Sequence, residues 1–214
     1  MKGSKAFSAT ALLLGISAAA SATNLVTNGG FETGTLSGWT TTASPSHPWA
    51  VQSSYVGLVP NSGTYFVETG CVGAGCLAYG SPISNDLSQV LTTVAGQAYT
   101  LSFYTSNQTG STASTSELDV YWGGTQVVAL NPVPGAVPNY TQYSGTVIAT
   151  GTSTNLEFLG RQDPSYFALD DVSVVTAVPL PASAWLLLSG LGVGGLGLLA
   201  RRRQRDSLAA LAAI

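Results

Sequence analysis

The chain has 214 residues, and 45% of them are hydrophobic, which is enough to form a core. Between positions 23 and 200, nine acidic residues stand against one arginine, Arg161, and no lysine. A surface this acidic repels phosphate groups, and a single arginine cannot build a phosphate-binding patch. The composition therefore excludes a nucleic-acid-binding protein.

The first 22 residues have the pattern of a secretory signal peptide. Lys2 and Lys5 precede an apolar stretch, and that stretch ends in small residues at positions 20–22, which a signal peptidase reads. We predict cleavage after position 22 and export across the inner membrane. The segment 23–177 that follows is long enough for one domain with its own core.

This segment has the pattern of β-strands separated by turns. Tyr99, Leu101 and Phe103 alternate with polar residues between positions 97 and 107, which is the period of a half-buried strand. The same reasoning predicts strands at 65–68, 87–92, 117–122, 125–130, 140–149, 154–160 and 166–175. Because turns separate these runs and no helical period is sustained, we predict an all-β, antiparallel β-sandwich of jelly-roll type.

Two cysteines, Cys71 and Cys76, are separated by four residues. In an exported protein this arrangement favours a small disulfide loop. A metal site is the alternative interpretation, but it needs two further ligands, and His47 is the only histidine.

Three aromatic residues are candidates for contact with a ligand. Tyr104 and Tyr121 each have the opposite parity to the apolar residues of their strands, so we expect both to face outward. Trp49 follows a proline in a predicted loop and is the third candidate, whereas Trp39 is assigned to the core. The alternative for the tyrosines is a cross-strand surface pair without a ligand.

The motifs of common enzymes are absent from the sequence, including the G-x-S-x-G elbow, H-E-x-x-H and the P-loop. Glu117 and Asp119 share one face of a predicted strand, as a pair of hydrolytic carboxylates would. Acidic pairs on an exposed strand are usually only solvated. We therefore predict that the protein is not an enzyme.

Three stretches of the domain resemble galactose-binding-like jelly rolls, a class that includes carbohydrate-binding modules. They are NLVTNGGFETGTLSGW at 24–39, LSQVLTTVAGQAYTLSFY at 87–104 and ALDDVSV at 168–174. The resemblance implies non-catalytic binding of extracellular polysaccharide. A purely structural surface or biofilm protein without a small ligand is the alternative.

A structural Ca²⁺ is predicted around Asp170. This residue has the same parity as the valines two and four positions later, so we expect it to point inward, where a carboxylate needs a partner. Carboxylate and backbone oxygens are the ligands that Ca²⁺ prefers. The resemblance implies Glu32 as a second carboxylate and Gly30 as a carbonyl donor, and Glu68 is a third carboxylate. Alternatively, Asp170 caps backbone amides and Glu32 is solvated.

The last part of the chain begins with a proline motif and an apolar run. Residues 182–200 carry no charge, and as a helix they span about 28 Å, long enough to cross a bilayer. An arginine cluster follows, and such clusters stay on the cytoplasmic side. The residues of this motif and cluster are Val178, Pro179, Pro181, Arg201, Arg202 and Arg203.

Segment 178–205 resembles a PEP-CTERM sorting signal, and residues 206–214 form a short cytoplasmic tail after it. The resemblance implies anchoring in the inner membrane and processing by an exosortase near the prolines. The processed domain would then reach the cell surface or the extracellular matrix. A permanent C-terminal anchor uses the same helix and charges and remains the alternative.

Overall fold

The structure is a computed structural model, and it describes residues 23–42, 48–71, 85–108, 116–163 and 165–177. Its strands are β1 (Thr40–Thr42), β2 (Ala50–Gln52), β3 (Phe66–Cys71), β4 (Asn85–Thr92), β5 (Ala98–Asn107), β6 (Ser116–Trp122), β7 (Thr125–Leu130), β8 (Thr141–Ile148), β9 (Ser153–Gln162) and β10 (Ser165–Thr176). All eight predicted strands are confirmed. The two additional strands, β1 and β2, have three residues each, too few to show a period.

The strands form two five-stranded sheets. Sheet A has the order β1-β4-β9-β6-β7, and sheet B has the order β2-β3-β10-β5-β8. All neighbouring strands run antiparallel. This arrangement confirms the predicted antiparallel β-sandwich, and every strand lies in one compact unit that ends at Thr176.

The main core lies between the two sheets, where alternate residues of each strand are buried. Phe103 of β5 and Phe158 of β9 pack edge to face, with ring centroids 5.4 Å apart. Trp39 packs against the same Phe158 and is 8% exposed, as its assignment to the core required. Fully burying one such side chain contributes about 1.5–3 kcal/mol.

A bulge interrupts the alternation of β10. Phe167 and Leu169 belong to the main core, and so does Val172, which has the opposite parity. The pairing of β10 with β5 shifts by one residue after Asp170, and Asp171 has a φ of +50°. An extra residue in one strand reverses the parity of all residues beyond it.

The predicted inward orientation of Asp170 is therefore wrong. Asp170 lies opposite Tyr104 on the outer face of sheet B, although its side chain is fully buried. It is buried because residues 55–65 and 136–140, which we call the cover, lie over this face. Leu58 of the cover packs with Phe66, Tyr166 and Ala168 of sheet B in a second apolar cluster.

Several predictions concern residues outside the described part of the chain. They are the signal peptide at 1–22, His47, Cys76, the sorting signal at 178–205 and the tail at 206–214. Cys71 ends β3, but its side chain is not described, so the disulfide stays a prediction. In the ranges that are described, no helix is long and apolar enough to span a membrane.

Candidate functional site

The outer face of sheet A presents polar side chains in rows across all five strands. Residues opposite one another in antiparallel strands share a face, and neighbouring strands lie about 4.8 Å apart, so one row spans about 19 Å. One row consists of Thr40, Ser88, Glu157, Tyr121 and Gln126, and the next row consists of Thr42, Asp86, Leu159, Asp119 and Ala129.

The strand sequences produce this face by simple alternation. In β6, Leu118, Val120 and Trp122 are buried, so the residues between them point away from the core and are half-buried. Alternation in β9 likewise buries Leu156 and Phe158 and turns the residues after them outward.

The centre of the face is apolar and its surroundings are acidic. Tyr121 and Leu159 are half-buried diagonal neighbours on adjacent strands. Leu159 of β9 lies between two carboxylates, Asp119 on β6 and Asp86 on β4. Glu157 of β9 lies opposite Tyr121. The arrangement combines an aromatic and an aliphatic surface with hydrogen-bond acceptors on both sides.

Asp86 has one oxygen with hydrogen-bond partners and one without. Its Oδ2 accepts hydrogen bonds from Thr42 Oγ1 at 3.0 Å and from Ser88 Oγ at 3.4 Å. Its Oδ1 is buried and has no hydrogen-bond partner in the described structure. A buried acceptor without a partner is costly.

Two carboxyl groups of the face are partly desolvated. Burial raises the pKa of Glu157, and the charge of Asp86 raises it further. Burial also raises the pKa of Asp119, while a hydrogen bond from Gln126 opposes that change. Both groups have lost water that a hydroxyl donor would replace.

The remaining charged residues of the face have partners of their own. Glu117 Oε1 accepts a hydrogen bond from Asn131 Nδ2 at 2.6 Å and lies opposite Arg161. Arg161 is buried, and its Nη2 lies 3.6 Å from Asp163 Oδ2. The accessible charge of this face is therefore negative.

The structure does not bring the three predicted ligand contacts together. Tyr104 and Tyr121 are both half-buried, but Tyr104 belongs to sheet B and Tyr121 to sheet A, so they lie on opposite outer faces. Trp49 is 3% exposed, donates from Nε1 to the carbonyl oxygen of Asn85 at 3.0 Å and packs edge to face on Phe167. Trp49 thus lies in the loop before β2, as predicted, but its side chain is buried.

Sequence reasoning missed three residues of this site: Asp86, Leu159 and Glu157. The signal for the last two was present, because the parity of the predicted strand at 154–160 already turned them outward. Their position beside Tyr121 depends on which strands are neighbours, and the alternation of one strand does not contain that information.

The predicted calcium ligands are also not brought together as one group. Asp170 Oδ2 accepts backbone N–H donors from Asn61 at 2.8 Å and Ser62 at 3.4 Å, as in the capping alternative. Glu32 Oε1 accepts N–H donors from Thr64 at 2.9 Å and Tyr65 at 3.0 Å, so it is not simply solvated. The described residues contain no group of three acidic, histidine or cysteine side chains that could hold a metal.

Asp171 lies beside Gly30, but both of its carboxylate oxygens accept hydrogen bonds, Oδ2 from Asn61 Nδ2 at 2.7 Å and Oδ1 from Ser62 Oγ at 2.8 Å. Its Oδ1 is 3.4 Å from the point where a Cβ of Gly30 would lie, and Glu32 borders the same glycine. Glu68 lies elsewhere, under the cover, and is 3.5 Å from Gln52 Nε2. Calcium therefore stays a prediction, and its predicted donors are Gly30, Glu32, Glu68 and Asp170.

No family model matches the chain, and no curated protein matches it. Solved structures do share its fold. The CBM22-1 xylan-binding domain of Paenibacillus barcinonensis Xyn10C is 18% identical with a TM-score of 0.50, and the match covers 76% of this chain and 100% of that one. A putative sugar binding protein of Bacteroides thetaiotaomicron is 13% identical with a TM-score of 0.50, covering 72% and 100%.

The same fold occurs in the enzymatically active domain of tailspike protein 4 from bacteriophage CBA120, at 14% identity and a TM-score of 0.50. That match covers 72% of this chain and 21% of the tailspike chain. At these identities the likeness concerns the fold alone. The chain therefore has the β-sandwich fold found in carbohydrate-binding modules.

Proposed function

We propose that this domain binds polysaccharide without catalysis, through the outer face of sheet A. The observation that carries the proposal is the pairing of Tyr121 and Leu159 with carboxylates on both sides. A sugar ring has an apolar C–H face that packs on aromatic and aliphatic side chains, and hydroxyl groups that donate to carboxylates. The shared fold with carbohydrate-binding modules supports the proposal.

The open rows favour an extended chain rather than a single sugar. A row of about 19 Å exceeds the size of one ring, and its acceptors recur at strand spacing along its length. The accessible charge of the face is negative, which disfavours polysaccharides rich in carboxylate or sulfate groups.

Binding to a panel of immobilised neutral polysaccharides, including the producing cell's own exopolysaccharide, tests this proposal. We expect Tyr121→Ala to weaken binding about tenfold, or about 1.4 kcal/mol, because the stacking surface is lost. Tyr104→Ala is the matched control on the opposite face and should bind like the unchanged protein. Silence across the whole panel would instead favour a structural surface or biofilm protein.

We further propose, on the sequence alone, that the domain is exported and sorted. Signal peptidase would remove residues 1–22, and an exosortase would act near Val178 to Pro181 while the helix holds the chain in the inner membrane. Intact-mass measurement of the surface-released form should find a C-terminus at 178–182. A recovered C-terminus at Ile214 would show a permanent anchor.

A further inference from the structure

Four strands end the two sheets, and three of them are protected against pairing with another chain. Natural edge strands avoid such pairing by being short, bulged, charged or proline-containing. β1 and β2 have three residues each, and β7 shifts its register against β6 after Val120. β8 has eight residues and pairs with β5 without any shift.

β8 also lacks the chemical protection that long edge strands usually carry. Its sequence, TQYSGTVI, contains no charged residue and no proline. Five of its residues are exposed, and Ile148 is 60% exposed. Among the residues that the structure describes, no strand pairs with the outer edge of β8. That edge therefore presents unpaired backbone donors and acceptors.

An apolar cleft of about 150 Å³ lies beside this edge, between β8 and β7. Tyr143 of β8 stands at the cleft and stacks on Phe103, with ring centroids 5.3 Å apart and planes 19° apart. Val128 and Val147 line the cleft from the two edge strands. A strand added to β8 would gain apolar contacts there in addition to its backbone hydrogen bonds.

The charge distribution indicates which strand this edge accepts. The domain carries nine acidic residues and one arginine, so two copies repel each other over most of their surfaces. β7 and β8 carry none of those charges. A second copy can therefore approach closely on this side without charge repulsion.

We propose that β8 pairs antiparallel with β8 of a second copy around a twofold axis. The pairing would join the two copies' B sheets into one continuous sheet and leave the outer face of sheet A free in both. Such self-complementary contacts are the usual way in which identical chains form closed dimers.

Sedimentation velocity of the full chain in dodecyl maltoside tests this proposal. We expect a concentration-dependent dimer of the unchanged protein and loss of that dimer in Thr146→Lys, because a lysine on an edge strand opposes pairing with another chain. Thr146 is exposed, so the variant should fold. Thr125→Lys, the same change at an exposed threonine of β7, is the matched control and should keep the dimer.

Amide hydrogen exchange provides a second readout that does not depend on detergent. Alternate amides of residues 141–148 are directed away from β5, and these should be protected in the dimer and lose that protection on dilution. A protein that is monomeric at every concentration, or a dimer that survives Thr146→Lys, would overturn the proposal. Glycan binding is measured separately and is not needed for either outcome.

Discussion

The two outer faces of the sandwich arise from the same alternation of residues but have different surroundings. On sheet A, Tyr121 and Leu159 point outward and remain half-buried and accessible. On sheet B, Phe66 and Tyr166 also point away from the main core, yet they are buried beneath the cover. The alternation of residues along a strand thus shows which side chains point away from the main core, but it does not show whether they are exposed to solvent.

The cover is held mainly by acidic side chains that accept backbone amides. Asp170 accepts hydrogen bonds from the N–H groups of Asn61 and Ser62, and Glu32 accepts them from those of Thr64 and Tyr65. Tyr140 donates its hydroxyl to the carbonyl oxygen of Val59 at 2.6 Å. Hydrogen bonds to charged groups contribute about 1.5–3 kcal/mol each to stability. These bonds therefore contribute a large part of the free energy that holds the cover on sheet B.

The sharpest test of the difference removes one outward apolar side chain from each sheet. Phe66 is fully buried under the cover, so Phe66→Ala should lower the free energy of unfolding by about 3–5 kcal/mol. Leu159→Ala on the open face removes a half-buried group, and we expect a loss of about 1 kcal/mol or less. Urea unfolding measures both, and equal losses would contradict the distinction between the faces.

Calcium would stabilise the folded domain if Glu32 and Asp170 bind it. A ligand that binds only the folded state at one hundred times its Kd stabilises by about 2.7 kcal/mol. Thermal unfolding with excess Ca²⁺ should therefore show a higher midpoint than unfolding with EDTA. A midpoint that does not respond to calcium would show that amide donors alone satisfy these carboxylates.

The stability of the domain should also depend on pH through Glu68, which lies under the cover of sheet B. Burial raises the pKa of this carboxyl group to about 7, and a hydrogen bond with Gln52 opposes the change only partly. Because the folded-state value is raised, its contribution to stability is present below about pH 4.5 and is lost as pH rises through 7. Glu68→Gln should make the unfolding midpoint less dependent on pH between 5 and 8.

We expect the effect of Glu68 to be on the order of 1 kcal/mol, or about 2–4 °C for a domain of this size. Burial raises the pKa of Asp170 to about 7 as well, with the charge of Asp171 as a second cause, so some dependence should remain in the variant. A variant with the unchanged pH profile would show that Glu68 is not desolvated.

Local alternation predicted the strands well because each one buries every second residue in the same core. It also predicted that Tyr121 faces outward, since its neighbours Val120 and Trp122 are buried. It could not place Tyr104 on the other sheet, because the choice of neighbouring strands depends on contacts between residues far apart in the chain. The burial of Trp49 in its loop could not be predicted either, because it depends on contacts with Asn85 and Phe167, which are far away in the chain.

The bulge at Asp171 makes β10 tolerant of a change in length at one place. Asp171 is the extra residue between two stretches of ordinary alternation, so its deletion would leave Leu169 and Val172 facing the core. Deleting Ser173 instead would turn Val174 and the residues beyond it to the opposite face. Insertions and deletions in this strand are therefore compatible with the fold only where the bulge already absorbs one residue.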